Sequence, residues 1–193
     1  ENLQALSTGF DGNPHLSPTG RLLLRTVFAG HLRNRAATID FYERNREFIE
    51  ANGRFRAPLI VTGFPRTGST LLLRLISEDP NTRSPYTFEM EKSTPPLRTG
   101  MDPLQDPRIR KSAASMAIMS RLAPGFVEKL AESHFWSATE REESMLYTQY
   151  HHGMSLTNGI AAGRRCFRRM QQIDAADALM KYERNFFTML DAY

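Results

Sequence analysis

What this sequence has little of excludes several classes of protein. It contains one cysteine, Cys166, so no disulfide can form within the chain, and this favours a cytoplasmic protein. No apolar run approaches the ~20 residues of a membrane-spanning helix, which predicts that the chain is not an integral membrane protein. The balance of 25 basic and 21 acidic residues is too mild to indicate nucleic-acid binding, and no interleaving of arginine with aromatic residues supports it.

The rest of the composition is that of one globular domain. Apolar residues make up 40% and charged residues 24% of the chain. Residues 1–20 are rich in Gly, Pro, Ser and Asn and predict a loose N-terminal arm. The remainder, 21–193, divides into a helical region over 21–56, a strand–helix–strand core over 58–96, and a second helical region over 97–193. The helices predicted in this second region include those over 107–121 and 175–192.

The predicted core determines the fold class. A β-branched apolar run at 59–63 predicts a strand, 67–77 a helix, and 86–90 a second short strand. Strand, helix and strand within about thirty residues form a βαβ unit, which implies a parallel sheet. We therefore predict an α/β fold with a P-loop-like parallel sheet and flanking helices, helix-rich overall. Because only two strands are evident, the sheet is expected to be incomplete in this chain.

The turn between the first strand and the helix has the composition of an anion-binding loop. Four residues separate Gly63 from Gly68, as in a Walker A loop, but Ser69 occupies the position where such a loop needs lysine. The cation is instead Arg66, inside the loop. Successive amides of the turn and the helix N-terminus attract an anion, and the hydroxyls of Ser69 and Thr70 lie beside the same amides.

Residues 65–70, Pro-Arg-Thr-Gly-Ser-Thr, closely resemble the 5′-phosphosulfate loop of sulfotransferases that use 3′-phosphoadenosine 5′-phosphosulfate (PAPS). That loop reads Pro-[Lys/Arg]-[Ser/Thr]-Gly-[Ser/Thr]-[Thr/Ser] and matches here at every position. Further residues up to position 96 are similar to a bacterial-type branch of this P-loop superfamily. The resemblance implies that Arg66 contacts the transferred sulfonate and that Thr67, Gly68, Ser69 and Thr70 hold the 5′-phosphate, with no metal required.

A sulfotransferase also needs a general base for its acceptor. Glu89, at the end of the second predicted strand, is the first candidate, because several branches of the superfamily use a glutamate near this place. His134, which precedes Phe135 and Trp136, is the second candidate and could instead line the acceptor pocket. The acceptor itself is predicted only as a small molecule: a sterol, a phenol, a sugar or a lipid.

The family's 3′-phosphate site, an arginine ending a later strand and a serine on the next helix, has no match in this sequence. We expect it beyond Tyr193, so that the chain is an N-terminal portion of one sulfotransferase-like domain and residues 97–193 are a helical insertion. Two alternatives remain open. A P-loop kinase-like phosphoryl transferase would need magnesium and a nucleoside triphosphate. An inactive or truncated P-loop module would self-associate and bind no nucleotide.

Overall fold

The computed structural model describes residues 2–56, 59, 61, 67–122, 125, 128, 132, 137–141 and 176–193. Side chains are described from residue 7 in the first of these ranges and from residue 180 in the last. Most of the first predicted strand, Arg66, and the histidine candidate His134 lie outside the described residues. The described part is helical, and it contains no helix long and apolar enough to cross a membrane.

Helices form the N-terminal third. Helix α1 (Asn2–Gly12) is followed by the long α2 (Pro18–Arg44) and the short α3 (Arg46–Asn52). Where the sequence predicts a loose arm, α1 instead packs on α2, with the ring of Phe10 edge-on to that of Phe28 at 6.4 Å. The side chain of Arg21 donates to carbonyls at the end of α1, including that of Phe10 at 3.2 Å. Cations commonly satisfy the carbonyl groups that a helix C-terminus leaves without partners.

An apolar core joins distant parts of the chain. Helix α7 (Ala176–Ala192) packs across α2 and α3. Its bounds agree with the helix predicted over 175–192. The buried members of this core come from all three helices: Tyr42, Ile49, Tyr182, Phe186 and Met189. The approach is close, since a Cβ added at Gly53 would lie 2.2 Å from the carbonyl oxygen of Thr188.

The described residues 67–122 contain three further helices. Helix α4 (Ser69–Ile76) agrees with the helix predicted after the loop, and α6 (Arg108–Leu122) with the one predicted over 107–121. Between them lie the short helix α5 (Thr87–Glu91) and a 3₁₀ turn (Pro103–Gln105). Helix α5 packs against α6.

The second predicted strand is wrong, because residues 87–91 are helical. Tyr86 forms an isolated antiparallel bridge with Arg141, and the chain then turns into α5. The backbone N–H of Tyr86 donates to Oε2 of Glu89 at 3.0 Å, as a capping carboxylate does at a helix start. A short buried apolar run is compatible with strand or helix, and here the local cap decides for helix. The described residues therefore contain no strand.

A buried histidine on α2 predicts an acid-sensitive core. His31 is 6% exposed, and burial lowers its pKa from 6.5 to about 4. The unfolded chain therefore binds a proton at a higher pH than the folded chain. The contribution of neutral His31 to the free energy of unfolding should be fully present above pH 6.5. It should fall by roughly 3 kcal/mol as the pH drops towards 4. Urea unfolding of His31→Gln at a series of pH values should give a free energy of unfolding that lacks this decrease.

The matched control is His15→Gln, at an exposed histidine that precedes α2. Its stability should follow the wild-type pH profile. If the wild-type and His31→Gln profiles were parallel between pH 6.5 and 4, burial of a neutral His31 would not be the cause.

Candidate active site

The predicted phosphosulfate loop ends at a glycine in the left-handed region. Gly68, with φ of 90° and ψ of 16°, is the N-cap of α4, and its carbonyl accepts the first helical hydrogen bond, from Leu72 at 3.0 Å. A side chain here would be strained by the positive φ, although a Cβ would meet no atom within 4 Å. The helix therefore begins with no N-cap side chain hydrogen-bonded to its first amides.

The hydroxyl residues of the motif surround this cap. Thr67 is exposed immediately before it, while Ser69 and Thr70 are half-buried in the first turn of α4. The first amides of a helix have no carbonyl partner within the helix, and its dipole favours negative charge. The described part of the loop, residues 67–70, therefore places hydroxyl side chains at the start of a helix, and its role in binding an anion stays a prediction.

The candidate base Glu89 is buried in α5 with both carboxylate oxygens engaged. Its Oε1 pairs with the guanidinium of Arg83, and its Oε2 accepts from the backbone N–H of Tyr86. The residue is only 4% exposed. Each carboxylate oxygen has two lone pairs, so among the described residues one lone pair on each oxygen remains for another donor. The Arg83 partner lies six residues before Glu89 and was not identified from the sequence.

Two side chains from other helices hold the chain that follows Glu89. Buried Asn34, on α2, donates to the carbonyl of Met90 at 2.8 Å and accepts from the N–H of Ser93 at 3.0 Å. Arg108, on α6, donates to the carbonyls of Lys92 at 2.8 Å and Pro95 at 2.9 Å. The sequence carried no signal for either residue, because their partners are set by tertiary packing.

Arg108 is itself fixed by a buried carboxylate and an aromatic ring. Its Nε and Nη2 contact the two oxygens of Asp106 at 2.9 and 2.7 Å, and its guanidinium carbon lies 5.1 Å from the centre of the Phe88 ring. Burial alone would raise the pKa of Asp106, but the hydrogen bonds and charge of Arg108 lower it overall. Asp106 and Arg108 therefore form a buried ion pair.

No metal site accompanies this arrangement in the part of the chain that the structure describes. There, no group of three or more His, Cys, Asp or Glu side chains is placed to hold a metal ion.

Arg108→Met should strongly destabilise the protein. The change leaves Asp106 as an unpaired buried charge and removes the donor to two carbonyls, at a cost of about 3–5 kcal/mol. Arg44→Met is the matched control, since Arg44 pairs with Asp40 at an exposed site on α2 and should cost at most about 1 kcal/mol. Urea unfolding at neutral pH measures both. Equal losses of unfolding free energy in the two variants would show that the buried contacts of Arg108 stabilise the protein no more than an exposed ion pair does.

Solved structures of sulfotransferases are similar to this chain over its whole length. The sulfotransferase STF9 from Mycobacterium avium is 21% identical, with a TM-score of 0.80, and the match covers 100% of this chain and 48% of that one. The sulfotransferase STF1 from Mycobacterium tuberculosis H37Rv is 22% identical, with a TM-score of 0.67, and the match covers 99% of this chain and 51% of that one. The chain thus spans about half the length of these structures.

This likeness establishes the fold class as the α/β, P-loop-like fold of the sulfotransferases, of which the described residues are a helix-rich part. No curated protein matches the chain. The model of the Sulfotransferase family matches residues 58–185, a region that contains both the loop at 65–70 and Glu89. The match extends over more than half of the sequence, and the chain belongs to the Sulfotransferase family.

Proposed function

We propose that this chain contributes the donor loop and the general base of a sulfotransferase that moves a sulfonate from PAPS to a hydroxyl or amine of a small molecule. The observation that carries the proposal is Gly68: a left-handed glycine without a capping side chain at the N-terminus of α4, within the region that matches the family. Sulfotransferases of this family generally use PAPS as donor. In this proposal residues 21–193 belong to one domain, the protein is cytoplasmic, and the acceptor is a sterol, a phenol, a sugar or a lipid.

The loop residues have distinct roles in this reaction. Arg66 would contact the sulfonate, and Thr67, Gly68, Ser69 and Thr70 would hold the 5′-phosphate. In an in-line displacement the acceptor oxygen bonds to sulfur as the bond from sulfur to the phosphate oxygen breaks. Negative charge builds on that phosphate oxygen, and the amides, hydroxyls and guanidinium stabilise it where it develops. The chemistry requires no metal.

We propose Glu89 as the base that removes the acceptor proton, with His134 as the alternative. Three features of Glu89 support its role. Its ion pair with Arg83 presents a carboxylate, its contact with Tyr86 holds the side chain in one position, and one lone pair on each oxygen is still available. A general base accepts a proton efficiently only when its side chain is held in position for the transfer.

The first test is calorimetric binding of 3′-phosphoadenosine 5′-phosphate (PAP), beside ATP with magnesium, to the wild-type chain and to Ser69→Ala/Thr70→Ala. We expect PAP to bind selectively and the double variant to lose at least about tenfold in affinity, because each lost hydrogen bond to a charged group is worth roughly 1.5–3 kcal/mol. Selective ATP binding would favour a P-loop kinase-like enzyme instead. Absence of binding by both ligands would favour an inactive or truncated module.

A pair of glycine variants, measured in the same experiment, separates an effect on ligand binding from an effect of backbone strain on stability. Gly68 and Gly100 both have positive φ, 90° and 84°, and a Cβ at either would meet no atom within 4 Å. Gly68→Ala and Gly100→Ala should therefore lose similar stability, about 1–2 kcal/mol. Only Gly68→Ala should also weaken PAP binding. Equal PAP affinity in the two variants would argue against Gly68 as part of the phosphate site.

The base is tested by Glu89→Gln and His134→Gln. Transfer of radiolabelled sulfonate from PAPS would be measured with a panel of sterols, phenols, sugars and lipids. We expect Glu89→Gln to lower kcat by about 10²–10⁴ with PAP affinity unchanged, which is the usual range for loss of a general base. His134→Gln should retain most of the activity. The reverse order of losses would identify His134 as the base.

A further inference from the structure

Helix α5 begins against a segment that lies about fifty residues further along the chain. The backbone N–H groups of Thr87 and Phe88 donate to the carbonyls of Glu140 at 3.0 Å and Ala138 at 3.2 Å. The hydroxyl of Thr87 lies 3.3 Å from the same Glu140 carbonyl oxygen. We name residues 137–141 the docking segment. It satisfies amides at the start of α5 that the helix itself cannot pair.

Arg141 attaches the docking segment to the residues just before α5. Its guanidinium carbon lies 4.1 Å from the centre of the Tyr86 ring, and its Nη1 donates to the carbonyl of Ser84 at 3.0 Å. Tyr86 is also the residue whose backbone N–H binds Glu89. The docking segment therefore contacts the chain on both sides of the cap that orients the candidate base.

The side chain of Glu140 extends in the other direction, to the donor helix. Its Oε1 accepts from Nε of Arg74 at 2.8 Å and lies 2.7 Å from Nη2. Arg74 is in the last turn of α4, the helix that begins at Gly68. The Glu140 side chain is 15% exposed, so water screens this ion pair less than a fully exposed one. One residue thus binds α4 through its carboxylate and α5 through its backbone carbonyl.

We propose that Arg74 and Glu140 are positioning residues that transmit occupancy of the donor loop to the helix that carries Glu89. The inference rests on the proposed function, since it needs α4 to bind the donor phosphate. An anion bound at the N-terminus of α4 restrains that helix, and the Arg74–Glu140 pair then holds the docking segment against the start of α5. Glu89 is consequently ordered when the donor is present.

The test is amide hydrogen exchange of this chain with and without PAP at about 100 times its Kd, where the ligand stabilises the bound form strongly. In the wild type, exchange of the Thr87 and Phe88 amides should slow at least about fivefold, the lower end of typical coupling between sites. In Glu140→Gln the slowing should fall to less than half of this, with PAP affinity within about twofold of the wild type. Arg74→Met should behave in the same way.

Glu140→Gln keeps the backbone carbonyl that binds α5 and removes only the charge that binds Arg74. The matched control is Glu43→Gln, which removes a carboxylate from an exposed ion pair with Arg46 and should retain the full slowing. If PAP binds but the slowing is absent, or persists in Glu140→Gln, the coupling is disproved and the proposed function stands. If the wild type does not bind PAP, the proposed function fails and the coupling fails with it.

Discussion

Within the part of the chain that the structure describes, the segment around Glu89 is buried and does not pair in a sheet, and the need to satisfy its backbone polar groups governs the surrounding structure. Each buried amide or carbonyl left without a partner would cost roughly 1–3 kcal/mol. Partners come from three separate parts of the chain: Asn34 on α2, Arg108 on α6 and the docking segment, each of which pairs with two backbone groups. Glu89 contributes one itself, through its contact with the N–H of Tyr86. The candidate base is therefore part of the framework that orients it.

The donor helix is held in a different way. Helix α4 contains no buried residue, and two of its connections lie near its end: the Arg74–Glu140 pair and the contact between the hydroxyls of Ser77 and Ser84 at 2.6 Å. Stability is not uniform across a protein, and elements with few buried contacts open most easily. Helix α5 is thus held more firmly than α4. In such an arrangement, a ligand that binds α4 can change how well ordered α5 is.

Some of this was predictable from local sequence. The leucine-rich pattern after the loop predicted a helix over 67–77, and α4 spans Ser69–Ile76, because apolar periodicity is a local signal. The helices α6 and α7 were predictable from apolar periodicity. The second strand was predicted wrongly, since Tyr, Thr and Phe favour strands in general while Glu89 supplies a cap that only the folded turn reveals. The roles of Arg66 and His134 stay predictions.

By itself, the sequence determined the resemblance to the sulfotransferases and predicted an anion-binding loop and two candidate bases, because these depend on residues close together in the chain. Only the tertiary structure decided that Glu89 pairs with Arg83, that Asn34 and Arg108 support the chain after it, and that Glu140 connects α4 to α5. Those contacts join residues 6 to 66 positions apart. A long-range hydrogen bond leaves no periodic pattern in the sequence, since its partners meet only when helices from different parts of the chain pack together.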